Sequence, residues 1–174
     1  MIHTVITYPD KRLKDISLPI KEFDIELHQL LDDMYETMLS QNGIGLAAIQ
    51  IAIPKRVLIL NIPNEEGEQL IENRIEMINP EILESTGTTT YQEGCLSVPG
   101  FYEDIERFED IKVVYYDRNG QEHHLESSEL LSVAIQHELD HLNGKLFIEK
   151  LSFIKRKKFE KELKKQLREQ KKSN

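Results

Sequence analysis

Apolar residues recur with helical spacing along two stretches of the chain. Asp24 can cap a helix that ends near Asn42-Gly43 and whose apolar positions are Leu27, Leu30, Leu31, Met34, Tyr35, Met38 and Leu39. A second helix is predicted from Ser127 or Ser128 to about Asn143. Its inward stripe contains Leu130, Ala134, His137 and His141. Because this mostly apolar stripe ends in two imidazoles, a ligand bound there would lie in the interior.

Short apolar and β-branched runs between these helices predict strands. They cover residues 57–62, 75–78, 86–91, 111–116 and 123–125, and the last two flank Asp117-Arg118-Asn119-Gly120. Asn-Gly between such runs favours a hairpin. A last helix is predicted from about Ser152. It carries Phe159, Leu163 and Leu167 every four residues on an otherwise basic surface. Strands in runs, without regular strand–helix alternation, predict an α+β fold.

Length and composition indicate a soluble intracellular protein, and we expect a cytoplasmic one. The 174 residues suffice for one domain with a core. The single cysteine excludes an intrachain disulfide framework. No apolar run approaches the roughly 18 residues of a membrane span, and the first residues lack the pattern of a signal peptide.

Charge is distributed unevenly. Residues 155–172 carry ten Lys or Arg and three Glu, although the whole chain has a net charge of −9. A basic tail on an acidic body indicates a polyanionic partner for the tail. A solvated helix end is the alternative, and charge by itself favours that alternative.

The segment Gln136-His137-Glu138-Leu139-Asp140-His141 contains His-Glu-x-x-His. Two histidines four residues apart project from one helix face, so their imidazoles can share a metal ion, with Glu138 close to a water bound there. The spacing also fits a surface helix with two solvated histidines around a salt-bridging glutamate. A metallohydrolase is the prediction if a third ligand can be found.

Cys95 is the candidate for that ligand. It lies in Glu93-Gly94-Cys95-Leu96-Ser97, a turn-like segment after a predicted strand. A free cysteine is usually a small buried hydrophobe, and a nucleophilic pair of cysteine and histidine is a third interpretation. Metal ligation gives a role to both histidines, Glu138 and Cys95, whereas the nucleophilic interpretation leaves one histidine and Glu138 without one.

A third segment, Gly43-Ile44-Gly45-Leu46-Ala47-Ala48-Ile49-Gln50, is rich in small residues. Such residues let a ligand or a neighbouring element approach the backbone closely, and by themselves they more often indicate a tight turn. The segment lacks the spacing of dinucleotide and phosphate loops. The amide of Gln50 could donate to a developing oxyanion.

Together, in this order and spacing, the three segments resemble the three motifs of the peptide deformylase family, and the resemblance extends to about residue 150. It implies an enzyme that removes the formyl group from the N-formylmethionine of nascent bacterial proteins and releases formate. It also implies a single catalytic metallohydrolase domain over residues 1–150, with antiparallel strands packed around a central metal-binding helix. An N-terminal helix would complete this domain, and residues 151–174 would form a basic C-terminal helix and tail.

The resemblance implies roles for individual residues. Cys95, His137 and His141 would bind one divalent metal ion, Fe²⁺ in most of the family, with Zn²⁺, Ni²⁺ or Co²⁺ as alternatives. Glu138 would be the general base and then the acid, and the Gln50 amide and the Leu96 backbone N–H would hold the oxyanion. The remaining residues would bind the substrate: Ile44, Gly45 and Gly94 its backbone, and Val98, Leu130, Val133 and Ala134, with Ile44, its methionine side chain.

Two positions depart from the family pattern. Gly100 and Tyr102 stand where some members carry an acidic residue and an arginine that contacts the peptide, so the outer contacts of the peptide are left open. Arg107 matches a family arginine, and we expect it to pair with Asp140 in support of the metal ligands. The resemblance further implies a monomer whose C-terminal helix docks on ribosomal RNA.

Two rival functions remain at this point. A zinc peptidase shares His-Glu-x-x-His but usually takes its third ligand downstream as Glu or His. A catalytically inactive homologue kept as a ribosome-associated factor is the other, although every catalytic position is intact here.

Overall fold

Two antiparallel sheets and three helices make up the fold in the computed structural model, which describes residues 1–174. The helices are α1 (Ile25–Ser40), α2 (Glu129–Leu142) and α3 (Phe153–Lys172). The strands are β1 (Gly45–Ala47), β2 (Val57–Leu60), β3 (Ile75–Thr86), β4 (Thr89–Cys95), β5 (Val98–Arg107), β6 (Asp110–Tyr116) and β7 (Glu122–Ser127). One sheet has the order β1-β2-β3-β6-β7 and the other pairs β4 with β5. The prediction of an α+β fold is confirmed.

The five-stranded sheet is covered by α1 on one face and by α2 on the other. Strand β2 shows why, because its four residues are apolar and fully buried. Successive side chains of a strand point to opposite faces. Val57 and Ile59 therefore pack in the cluster that contains α1, whereas Leu58 and Leu60 pack in the cluster that contains α2.

The predicted helix boundaries are close to the observed ones. The Asp24 carboxylate accepts a hydrogen bond from the Leu27 backbone N–H at 3.0 Å, which is the expected cap of α1. Ser128 precedes α2, but its side chain makes no capping hydrogen bond. Helix α3 begins after Ser152, whose hydroxyl accepts from the Lys155 N–H at 3.4 Å. No helix is both long and apolar enough to cross a membrane.

The strands differ from their prediction in several places. Strand β1 was not predicted, and β3 runs to Thr86 instead of ending at residue 78. The predicted strand at residues 86–91 is wrong in its start, because β3 continues to Thr86 and the chain turns at Gly87, with φ of 66°, before β4 begins. Strand β5 was missed because Pro99 and Gly100 interrupt its apolar pattern. The hairpin of β6 and β7 is confirmed, and the Gly120 N–H donates to the Asp117 carbonyl across its turn at 3.0 Å.

Phe159 is the one fully buried side chain by which helix α3 packs on the body. Phe159 is 2% exposed and packs with Leu13, Val98, Phe101 and Phe147. Its ring centroid lies 4.8 Å from that of Phe101, in an edge-to-face arrangement. The division of the chain at residue 150 stays a prediction, and Phe159 shows that the segment beyond it shares a core cluster with the segment before it.

Replacing Phe159 with alanine is expected to lower the free energy of unfolding by about 3–5 kcal/mol, because a buried ring is removed and a cavity is left. Urea titration of both proteins with the same metal content measures the decrease. Phe153→Ala is the matched control on the same helix. Phe153 is 77% exposed, so the change there should be within about 0.5 kcal/mol. Equal decreases for the two variants would contradict the anchoring.

Candidate metal centre and active site

Three ligand atoms converge where the end of β4 meets α2. The ligand atoms of Cys95, His137 and His141 all lie within 4.8 Å of one another, and Cys95 Sγ is 3.4 Å from His141 Nε2. His137 is 8% exposed and His141 is fully buried. These histidines are therefore not solvated on a surface helix, and the expected position of the site in the interior is confirmed.

A buried network of ion pairs contacts the ring of His137 at Nδ1. The Glu93 carboxylate faces His137 Nδ1 at 2.8 Å and accepts two hydrogen bonds from Arg107, at 2.6 and 2.9 Å. Arg107 also donates to Asp140 at 2.9 Å, so the predicted pair of Arg107 and Asp140 is present. With Nδ1 engaged by Glu93, the ring of His137 is held with Nε2 as its free ligand atom.

Burial and the neighbouring charges set the pKa values of these groups. Burial alone would raise the pKa of Glu93, but His137 and Arg107 outweigh it and keep the carboxylate ionised. Burial lowers the pKa of His141 well below its usual value, which keeps this imidazole neutral. Burial also acts to lower the pKa of His137, but Cys95 and Glu93 overcome it and raise that pKa. Metal binding at His137 would therefore displace a proton.

Glu93→Gln is expected to weaken metal affinity about 10- to 100-fold. The neutral amide lacks the negative charge of the carboxylate, which orients His137 and pairs with Arg107. Competition with a chelator of known affinity measures the change. Glu106→Gln, at an exposed position of β5, is the control and should leave the affinity unchanged. Unchanged affinity in Glu93→Gln would remove Glu93 from the support of the metal centre.

Glu138 lies one residue beyond His137 and is 5% exposed. Its Oε2 is buried without a hydrogen-bond partner. Its Oε1 packs against Gly45, where a Cβ atom would come within 2.7 Å of that oxygen, so a side chain at this position would displace the carboxylate. Burial raises the pKa of Glu138 to about 7. A carboxyl with this pKa can accept and donate a proton at neutral pH.

Gln50 is held in one orientation by its neighbours. Its Oε1 accepts a hydrogen bond from the Ala47 backbone N–H at 2.9 Å, so its Nε2 must point the other way. Nε2 lies 3.1 Å from Ser97 Oγ and 3.5 Å from Cys95 Sγ. The amide donor of Gln50 is thus aimed at the ligand cluster.

A cavity of about 590 Å³ opens above the ligand cluster. Most of the predicted site residues line it: Ile44, Gly45, Gln50, Gly94, Cys95, Leu96, Leu130, Val133, Ala134, His137 and Glu138. His141 is buried beneath the cavity. Val98 is a correction, because it is absent from the lining and is buried with Leu13 and Phe101 on the opposite side of β5.

The residues present fit a divalent metal ion. A thiolate and two imidazoles form a ligand set that suits first-row metals, and the three ligand atoms already stand close together. The buried and unpaired Oε2 of Glu138 lies beside them as an acceptor for a water or a substrate group. Cys95, His137 and His141 therefore form a candidate site for one divalent metal ion.

Sequence reasoning missed two residues of the site. Glu93 stands in the segment that contains Cys95, and the need of a ligating histidine for a partner on its second nitrogen could have indicated it. Ser97 is fully buried and receives the Gln50 amide, which only the turn between β4 and β5 makes possible. No local pattern in the sequence signals that contact.

Comparison with known proteins agrees with this geometry. The sequence profile of the family described as polypeptide deformylase matches residues 2–157. A peptide deformylase from Nautilia profundicola is 56% identical over 168 residues, which is 97% of each chain. A crystal structure of a peptide deformylase from Legionella pneumophila superposes with a TM-score of 0.88 at 39% identity over 98% of each chain. A peptide deformylase from Acinetobacter baumannii, solved with Met-Ala-Ser bound, has a TM-score of 0.80 at 38% identity over 87% of this chain and 99% of that one. This chain belongs to the polypeptide deformylase family.

Proposed function

We propose how this chain carries out the reaction of its family, which is removal of the formyl group from N-formylmethionyl peptides. The observation that carries the proposal is the cluster of Cys95, His137 and His141 beside the unpaired carboxylate of Glu138. A zinc peptidase and an inactive homologue are not favoured, since the family match covers the whole catalytic region and every catalytic position is present.

The metal is held by Cys95, His137 and His141, and we propose Fe²⁺ as the physiological ion. When bound, such an ion lowers the pKa of a coordinated water from about 16 to near 7. The same ligands also accept Zn²⁺, Ni²⁺ and Co²⁺. If the ion is iron, activity should decay within hours in air, with Cys95 open to oxidation. Full activity after that exposure would instead indicate zinc or nickel.

Glu138 accepts and then donates the proton that is transferred in the reaction. Its carboxylate takes a proton from the attacking water as the water oxygen bonds to the formyl carbon. It then delivers that proton to the amine as the bond between carbon and nitrogen breaks. Formate and a free methionyl amino group result. A pKa of about 7 suits both transfers.

Gln50 and Leu96 stabilise the negative charge that develops on the formyl oxygen. The orientation of the Gln50 amide is fixed by Ala47, so its N–H groups need no rearrangement during the reaction. The Leu96 backbone N–H is the second donor. Preorganised donors of this kind each contribute about 10²- to 10³-fold to kcat.

The peptide backbone binds between two strand edges. Strand β1 is at the edge of the larger sheet, β4 belongs to the two-stranded sheet, and both border the cavity. An extended peptide can pair with Ile44 and Gly45 on one side and with Gly94 on the other. Ile44, Leu130, Val133 and Ala134 then surround the methionine side chain.

The test is formate release from formyl-Met-Ala-Ser, with Met-Ala-Ser as the second product. Met-Ala-Ser and acetyl-Met-Ala-Ser are the controls, and neither should be cleaved. Metal content of protein purified without oxygen is measured in the same samples. Cleavage of internal peptide bonds without formate would support the peptidase. Absence of both metal and turnover would support the inactive homologue.

We propose that the basic face of α3 binds ribosomal RNA. Lys158, Lys161, Lys165, Arg168 and Lys172 are exposed and share one stripe of the helix, opposite the side on which Phe159 and Leu163 pack. Nascent peptides are made in the cytoplasm, so we propose a cytoplasmic enzyme, and we propose that it acts as a monomer.

Neutralising Lys161, Lys165 and Arg168 to glutamine tests the binding of RNA and spares Phe159, which truncation after Leu151 would remove. Co-sedimentation with ribosomes should fall, and its dependence on salt should weaken by about one unit of slope for each phosphate that α3 no longer binds. Glutamine at Lys11, Lys21 and Lys55 is the control for net charge. Equal co-sedimentation of the two triple variants would leave α3 as a solvated helix end.

A further inference from the structure

Residues 61–74 connect β2 to β3, and one side chain of this connection holds the backbone next to β1. Gln69 Nε2 donates to the Gly43 carbonyl at 3.0 Å and to the Asn61 carbonyl at 2.8 Å. Both N–H groups of one amide are thus used to join two separate segments of the chain. Gln69 does not line the cavity, so it can act on a substrate only through the backbone that it holds.

Asn61 ties the same connection to the end of β2. It is fully buried, and its backbone N–H donates to the Ile44 carbonyl at 2.8 Å, which continues the pairing of β1 with β2. Its side-chain amide donates to the Leu70 carbonyl at 3.1 Å and to the Tyr35 hydroxyl of α1 at 2.9 Å. Gln69 is therefore held in place by the residue that follows it, and its amide is a fixed support for the Gly43 carbonyl.

The segment from Gly43 to Gly45 has little room to move. A Cβ atom at Gly43 would come within 2.8 Å of Leu96 Cδ1, and one at Gly45 would come within 2.7 Å of Glu138 Oε1. The backbone of this segment thus lies directly against two residues of the proposed reaction. Because protein interiors are close-packed, a shift of the Gly43 carbonyl would move the neighbouring edge of β1 rather than be absorbed locally.

We propose that Gln69 is a positioning residue, which sets the place of the β1 edge and thereby the affinity for the peptide backbone. This inference rests on the proposed function, in which the substrate pairs with Ile44 and Gly45. Backbone hydrogen bonds need donor–acceptor distances of about 2.7–3.2 Å, so a small shift of this edge weakens several of them together. The metal ligands lie on β4 and α2, which Gln69 does not contact. Loss of the Gln69 amide should therefore change KM more than kcat.

Gln69→Met tests this role, because it removes both donors and keeps an unbranched side chain of similar length. KM for formyl-Met-Ala-Ser should rise about three- to tenfold, which is the effect of weakening one or two hydrogen bonds to the peptide. For formylmethioninamide, which lacks the backbone beyond the methionine, KM should rise less. Steady-state formate release gives both parameters for both substrates. A purely structural role would lower the midpoint of thermal unfolding and leave KM unchanged.

Two further variants complete the experiment. Gln69→Lys returns N–H donors to this position, so its KM for the tripeptide should be closer to that of the unaltered chain than the KM of Gln69→Met is. Gln121→Met is the matched control, because it makes the same substitution at an exposed glutamine in the turn between β6 and β7. Both of its kinetic parameters should equal those of the unaltered chain.

Formate release from formyl-Met-Ala-Ser by the unaltered chain tests the proposed function separately. If formate is released but Gln69→Met has the KM of the unaltered chain for the tripeptide, Gln69 does not position the β1 edge. Equal increases of KM for the tripeptide and for formylmethioninamide would also overturn the proposal, since the effect would then not depend on the peptide backbone. Equal KM values for Gln69→Lys and Gln69→Met would show that the N–H donors do not matter.

Discussion

Glu138→Gln is expected to lower kcat on formylmethionyl peptides by about 10²- to 10⁴-fold. Glutamine keeps the size of the side chain beside Gly45 but can neither take the proton of the attacking water nor deliver it to the leaving amine. KM should change little, because the residues that contact the peptide backbone and the methionine are intact. Steady-state formate release over a range of substrate concentrations separates the two parameters.

Metal content decides how a decrease in kcat of Glu138→Gln is interpreted. Cys95, His137 and His141 are untouched, so the variant should bind as much metal as the unaltered chain. Glu81→Gln, an exposed site on β3, controls for the removal of one carboxylate. A lower metal content would make Glu138 a ligand or a structural group. Normal turnover would show that another group activates the water.

Cys95→Ser is expected to remove most of the bound metal, and most of the activity with it. The thiolate is the only soft ligand of the site, and a serine hydroxyl stays protonated at neutral pH and binds first-row metals poorly. Metal content per chain, measured after purification without oxygen, should fall together with formate release. Serine is close to cysteine in shape, so the fold should persist.

An exposed histidine provides the comparison for Cys95→Ser. His124 pairs with Glu122 on β7, away from the cluster, and His124→Ala should keep both metal and activity. Full metal occupancy in Cys95→Ser would show that the thiol is not a ligand. Absence of activity with full occupancy would favour a nucleophilic cysteine instead.

The sequence predicted those parts of the site that depend on local periodicity. His137 and His141 had to share a helix face because they are four residues apart, and the apolar stripe before them required burial. Glu93 could not be placed in this way. Its carboxylate reaches His137 only because the fold brings the end of β4 next to α2. The two residues are 44 positions apart in the sequence. The pair of Arg107 and Asp140 was found because the resemblance supplied it.

Strand β5 shows where local pattern fails. No strand was predicted for residues 98–107, and the family resemblance implied Val98 as a residue of the methionine pocket. In the structure the turn is Leu96-Ser97, so Val98 begins a strand and points into the apolar cluster. Which face of a strand a residue occupies depends on where the strand starts, and a shift of one residue reverses it.

Side chains on the two faces of β5 are under different evolutionary constraints. Phe101 and Ile105 pack in the core that receives Phe159, whereas Tyr102, between them, borders the cavity. Mutations at Tyr102 change the wall of the cavity and leave the core untouched, so an evolving lineage can explore them at little risk to folding. Changes at Phe101 or Ile105 would disturb the core cluster in which Phe159 of α3 packs. Divergence among relatives along this strand should therefore be concentrated at every second residue.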